Sequence, residues 1–585
     1  MSSRISRALL ALTLGVAAPA LAAPANDWKT LTDEYWAWAL KESPVYATRL
    51  GVRDYDRELG EVSIAAMDRR ARDRTAFLAR LDAIPATALP VSERTNRAIL
   101  RRVLAEDIAD NGFGQRTMLF TNREGWHQSI AGLADSLVFR RRSDYENYLA
   151  RLEKYPALND AALDVTAQAI KGGYTLPCAA MGGFEGTISG VIGPDPARTR
   201  FYAPFGKAKP SDMTAAEWAS MQTRARTLID GPLRGAYAKH LNFYRANYKC
   251  NPAVGVSAQP DGARYYAHRI ASFTTTDRTA DDIHKLGLSE VARIRAEMVA
   301  VAKKAGFATR EAFIADLRTN PKYYAKTPEE LMEATARETK RIDGLMPTLF
   351  TMLPRLPYGI REIPGETAEG TTTASYNSGS PETGIAGTYY VNTSKLDQRP
   401  LWEIPALSVH EAVPGHHHQI ALQQELPLPA WRRNGVSFTA FTEGWGLYSE
   451  RLGIEMGLYD TPAKDMGRLS YEMWRACRLV VDTGLHSKGW SKAQAIDFMT
   501  DNSALSAGNI EAEVNRYIAW PGQALAYKIG ELKIRELRAR AEMALGAKFD
   551  LRTFHDAVLS QGAVPLDVLE AQIDEWIAAK RAAAS

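Results

Sequence analysis

Four of the ten histidines in this 585-residue chain, His410, His416, His417 and His418, fall within nine positions, and Glu411 stands beside the first of them. Neutral imidazole is the commonest metal ligand, and a neighbouring carboxylate can serve as a base. The nearest template is the zinc-peptidase helix H-E-x-x-H. There, two imidazoles one turn apart hold Zn2+ and the Glu activates the bound water. In Val409-His410-Glu411-Ala412-Val413-Pro414-Gly415-His416-His417 the fourth position after His410 is Pro414, which cannot bind a metal. On an unbroken helix His416 would be turned to another face and about 9 Å up the axis. Proline removes a backbone donor and glycine widens the accessible dihedrals, so a bulge at Pro414-Gly415 can return His416 to the ion. His416 is therefore the expected second ligand, with His417 as the alternative.

A catalytic zinc usually has three protein ligands and one open position. Glu443, 33 residues after His410 in Thr442-Glu443-Gly444-Trp445-Gly446, is the expected third. The flanking glycines cost about 1 kcal/mol each in a helix interior relative to alanine, but let a backbone or ligand come close. Glu450, two turns on, can orient a ligand imidazole or pair with an arginine. Glu411 is the expected general base. Donors for a developing oxyanion are sought in Tyr517, Tyr527 and His486, and a grip on a substrate carboxylate in Arg516 or Lys528.

These residues need helices to position them. Periodic apolar residues predict helices over 27–110, 143–171, 214–247, 281–298, 328–344, 405–425, 439–455, 465–500, 508–545 and 564–582. Pro328 suits a first helical turn. His284, alone on an amphipathic helix, reads as structural. The glycine- and proline-rich segment 172–210 reads as a long loop. Within 350–400, Gly387-Thr388-Tyr389-Tyr390-Val391-Asn392 is the β-rich run and predicts a strand of a small sheet, either an edge strand able to hold an extended peptide or one of structural value alone. The chain is thus expected to be mainly α and two-lobed. Residues 23–255 form an N-terminal helical lobe, and 256–585 a catalytic helical lobe with a small sheet at about 385–393 beside the active-site helix.

Composition bounds the partners. A net charge of +4 with 24% charged residues predicts neither nucleic-acid binding nor a stable membrane anchor. Arg4 and Arg7 precede an apolar run ending Ala20-Leu21-Ala22, which predicts a signal peptide over 1–22 and a periplasmic or secreted protein. Of the three cysteines, Cys178 and Cys250 can pair in such a compartment, and Cys477 reads as a buried free thiol.

Several motifs in order make the chain resemble the bacterial domain of unknown function 885 (DUF885) family, grouped with gluzincin-type metallopeptidases. They are Asp282-Ile283-His284-Lys285-Leu286-Gly287-Leu288, the His410–His417 run, Thr442-Glu443-Gly444-Trp445, Asp482-Thr483-Gly484-Leu485-His486, Arg516-Tyr517 and Pro521-Gly522-Gln523. More distantly it is similar to helical zinc carboxypeptidases and the angiotensin-converting-enzyme group. That similarity implies Glu443 as a Zn2+ ligand and Tyr517 as the oxyanion donor. The expected function is zinc-dependent hydrolysis of short peptides in a deep groove, with Glu411, Tyr517, His486 and Arg516 in catalytic roles and His410, His416 and Glu443 on the metal. A metallohydrolase of non-peptide amides or esters, or a binding protein with a degenerate metal site, fits the same residues.

Overall fold

The computed structural model describes residues 22–121, 124–369 and 371–582. The expected signal peptide therefore lies outside the described residues, apart from Ala22. The fold is mainly α, with one three-stranded sheet. Among the described residues no helix is long and apolar enough to cross a membrane.

Local chemistry sets the helix ends. Helix α1 (Ala280–Lys304) opens on Thr279, whose hydroxyl accepts from the Asp282 amide while the Asp282 carboxylate returns to the Thr279 amide. Pro328 is the first residue of the next long helix but one, Pro328–Asp343, with Thr327 as cap. His284 bonds the Thr483 hydroxyl at 2.8 Å, a structural role. Segment 172–210 is less irregular than expected: it folds into short turns and the helix Phe184–Ser189, next to a Cys178–Cys250 disulfide. Cys477 is a buried free thiol.

The sheet contains β1 (Tyr358–Glu362), β2 (Ala374–Asn377) and β3 (Gly387–Val391) in the order β1-β3-β2. β1 runs parallel to β3, and β2 antiparallel to it. Of the two readings of 387–392 the structure takes the structural one: that run is the central strand, buried on alternate residues, and the edges are β1 and β2. The short polar sequence of β2, Ala-Ser-Tyr-Asn, carries little strand signal of its own.

The site helices follow. α2 (Ile404–Glu411) and α3 (His416–Glu425) replace the single helix expected over 405–425. α4 (Thr439–Leu452) comes next, then α5 (Pro462–Ser487), almost wholly buried from Met466 to His486. α6 (Ala507–Ala519) and α7 (Ala526–Leu545) are separated at Gly522, whose φ of 82° no other residue adopts easily. α1 lies along α5, where a side chain at Gly287 would come within 2.7 Å of Leu479 and Val480. α4 crosses α7 backbone to backbone: a Cβ on Gly444 would lie 2.6 Å from Gly530, and one on Gly530 would lie 1.8 Å from the Ala440 carbonyl oxygen. Two apolar clusters fill the interior, and each draws on residues from both sides of position 255.

Buried Glu403 caps the start of α2. Burial, only partly offset by Arg399, pushes its carboxyl up to about 8. The folded protein then keeps a proton that the unfolded chain releases above about pH 4.5, so this group removes stability as pH rises from about 4.5 to 8. Glu403→Gln is expected to gain on the wild type by a few kcal/mol between pH 5 and pH 8.5, in order of magnitude, as read by urea unfolding at both pH values. An unchanged difference would contradict this.

Candidate metal centre

The break in the His-Glu segment builds the site. α2 ends at Glu411, and the chain turns through Ala412–Gly415 before α3 begins at His416. The Pro414 carbonyl accepts from the Trp445 indole at 2.7 Å, which pins the turn to α4. A Cβ on Gly415 would lie 1.9 Å from the His410 carbonyl oxygen, so only glycine permits the fold-back. The imidazoles of His410 and His416 then meet edge to face, 4.7 Å between ring centres. α4 brings in the third group: Glu443 Oε2 lies 3.4 Å from His410 Nε2 and 3.3 Å from His416 Nε2. All three donor atoms lie within 4.8 Å of one another.

Several features fit this cluster to a cation. Glu443 Oε2 is buried and accepts no hydrogen bond, although two imidazole nitrogens point at it. His410 Nδ1 donates to Glu450 Oε1 at 2.8 Å, which holds the ring in place with Nε2 turned towards Glu443. Burial disfavours charge on His410, but Glu443 and Glu450 on either side outweigh it and raise the group to about 9. Burial likewise works against the Glu443 carboxylate, yet His416 and His410 hold it well below the usual range. The pocket therefore favours positive charge, and two nitrogens with one carboxylate suit Zn2+.

His417 points elsewhere. Its Nδ1 meets the Tyr376 hydroxyl at 3.0 Å and its Nε2 the Leu356 carbonyl at 2.9 Å. Burial lowers it to about 4. His418 is fully buried against Phe350, 4.4 Å between rings.

The cluster opens on a cavity of about 430 Å³ lined by Glu411, residues 371–377 including β2, Trp474, Arg475, Arg478, Arg516, Trp520 and Tyr527, with Thr121 and Glu124 from the N-terminal part of the chain. Glu411 and Arg516 thus share the cavity with the triad. Tyr517 and His486 do not line it, and their expected places are corrected. The Tyr517 hydroxyl accepts from the Trp474 indole and from Arg478 Nε, both at 2.8 Å, behind the wall. His486 accepts the Val256 amide and donates to the Tyr517 carbonyl at 2.9 Å, tying α5 to α6. Both face inward because α5 is surrounded by other elements on every side. Lys528 is likewise buried, ion-paired to Glu472, Glu531 and Glu290 at 2.9–3.2 Å. Tyr527 is the tyrosine that reaches the cavity, its ring stacked 6.3 Å from that of His410. Arg475 and Arg478 escaped sequence reading. Their signal was there: charged residues at positions 475, 478 and 482 recur at helical spacing in an otherwise apolar stretch of α5.

Gly446, one turn after Glu443, leaves room for the ligand ring: a Cβ there would lie 2.8 Å from His410 Cε1. Gly446→Ala is expected to weaken zinc binding about tenfold to a hundredfold while the circular dichroism stays unchanged. Chelator competition measures it, and wild-type affinity would show that the ring is free to move aside.

A family profile described as "Bacterial protein of unknown function (DUF885)" matches residues 44–573. No curated protein matches the chain significantly. Among solved structures, a provisionally named lipoprotein from Colwellia psychrerythraea is 27% identical with a TM-score of 0.88, covering 95% of this chain and 99% of that one. A provisionally named lipoprotein of unknown function from Shewanella oneidensis is 20% identical with a TM-score of 0.66, covering 94% and 99%, a likeness of fold. An M32 carboxypeptidase from Deinococcus radiodurans R1, 14% identical over 87% of this chain and 95% of its own, scores 0.31, too slight a likeness to carry an argument.

Proposed function

Because this chain belongs to the bacterial DUF885 family, whose description assigns no activity, we propose from its own site that it is an exported zinc-dependent peptidase acting on short peptides. The observation that carries the reading is the buried His410–His416–Glu443 cluster opening on the same cavity as Glu411. Zn2+, when bound by these three side chains, supplies Lewis-acid polarisation of a carbonyl and acidifies water.

The remaining chemistry belongs to the chain. Glu411 takes a proton from the attacking water, whose oxygen adds to the scissile carbonyl carbon. As the C–N bond breaks, Glu411 passes that proton to the departing amine nitrogen. Tyr527, whose hydroxyl accepts from Arg516 Nη2 at 3.0 Å, is placed on the cavity wall to donate its own proton to the developing oxyanion. The β2 edge beside the triad offers main-chain groups to an extended peptide, which favours a peptide over other amides and esters. In this reading residues 23–255 form a lobe over one side of the groove, to which Thr121 and Glu124 contribute, and 256–585 form the catalytic lobe. The basic and apolar run at 4–22 and the Cys178–Cys250 disulfide support export to an oxidising compartment.

Purified protein incubated with a mixed short-peptide library tests the proposal. Cleavage read by mass spectrometry is expected with zinc, to vanish with chelator and to return when zinc is restored. Zinc-loaded protein that cleaves no peptide would remove the reading.

A further inference from the structure

The wall facing the metal cluster is cationic, and its donors are not all used. Arg475, Arg478 and Arg516 line the cavity together. Arg475 pairs with Glu450 at 3.0 Å, Arg478 with Glu513 at 2.8 Å, and Arg516 shares Glu513 at 3.5 Å. Three guanidiniums are thus matched to two carboxylates, one of which, Glu450, also accepts from His410. Arg475 is 3% exposed and Arg478 1%. Even so, Arg478 Nη1 and Arg475 Nε have no hydrogen-bond partner. Buried Arg432 and Arg468 also have one unmet donor each, so what sets Arg475 and Arg478 apart is that theirs belong to side chains lining a cavity, where an incoming group can meet them. Unmet donors on a cavity wall that carries one more guanidinium than the carboxylates paired with it mark a place for an incoming anion.

Its distance from the cluster limits what that anion is. The Arg478 guanidinium carbon lies 4.2 Å from the centre of the Tyr527 ring, and those of Arg475 and Arg516 lie 5.9 Å from it. The same ring lies 6.3 Å from that of His410. At about 3.3–3.6 Å per extended residue, two such contacts span at most three or four residues. Guanidinium forks match a carboxylate in two-point geometry. The group every peptide carries within that reach of a scissile bond near its end is the C-terminal carboxylate.

Building on the peptidase reading, we propose that Arg475, Arg478 and Arg516 form the binding site for the free C-terminal carboxylate of the substrate, so that the enzyme removes residues from the C-terminal end. Tyr517, which accepts from Arg478 Nε behind the wall, is a positioning residue for that fork.

Binding separates this from catalysis. In zinc-loaded Glu411→Gln protein, calorimetry compares acetyl-Ala-Ala-Phe as free acid, the same peptide as C-terminal amide, and acetyl-Ala-Asp-Phe amide. The free acid is expected to bind about tenfold to a hundredfold more tightly than either amide. That preference is expected to vanish when Arg478→Gln is added and to return only in part with Arg478→Lys, which keeps the charge but loses the fork. Should Arg478→Gln fail to fold by thermal melting, Arg516→Gln, 16% exposed, reads the same preference. Equal binding of acid and amide, or no binding of either, overturns the proposal. So does tight binding of the aspartyl amide, which would assign the wall to an acidic side chain. The acid preference together with zinc-loaded wild-type protein that cleaves no peptide would sink the peptidase reading and leave the carboxylate site standing.

Discussion

Glu411→Gln protein is expected to bind zinc at the wild-type stoichiometry and to hydrolyse peptides about a hundredfold to ten-thousandfold more slowly. Glutamine keeps the size and polarity of the side chain but cannot take up a proton. The donor atoms that could hold the cation belong to His410, His416 and Glu443, so this substitution leaves that cluster intact. Glu411 is the last residue of α2 and lines the cavity, so the loss is expected in kcat rather than in KM. Steady-state kinetics with metal analysis on the same preparation decides it. Cleavage at the wild-type rate would strip Glu411 of its role.

The second large effect comes from a pair of variants one residue apart. His416→Ala should lose zinc affinity by about a hundredfold to a thousandfold, because the binding energy of a zinc held by three side chains is divided among few ligands. His417→Ala should retain zinc, since both nitrogens of that ring are occupied by Tyr376 and Leu356. It is expected instead to lose about 1–3 kcal/mol of stability, because the Tyr376 hydroxyl and the Leu356 carbonyl lose their partner. Competition with a chelator and urea unfolding read the two quantities separately. Zinc lost from the His417 variant and kept by the His416 variant would reverse the ligand assignment.

Much of this site could be read from residue types alone. Pro414 and Gly415 excluded a regular H-E-x-x-H turn and allowed a fold-back, which the structure forms at Ala412–Gly415. The two glycines after Glu443 signalled close approach, and they meet Gly530 and the His410 ring. What stayed hidden was the direction in which side chains point. Tyr517 and Tyr527 are ten residues apart on helices separated by Gly522, and nothing in their local sequence says which hydroxyl faces the cavity. The three-residue spacing of Arg475 and Arg478 shows a shared helix face, not that the face lines a cavity. β2 was illegible for another reason: a four-residue strand of small and polar residues is held by pairing with β3 rather than by its own propensity. Helix ends were missed where one helical period continues across a break, as at Gly489 between Ser487 and Lys492.

The crossing of α4 and α7 at Gly444 and Gly530 has a mechanical meaning. With no side chain between the two backbones, neither helix can slide by a residue without driving a Cβ into main-chain atoms. Glu443 stands immediately before one contact glycine and Tyr527 three residues before the other, so the anchor of the cation and the ring against His410 move as one body. Any hinge that lets the groove close on a substrate must therefore lie outside this pair.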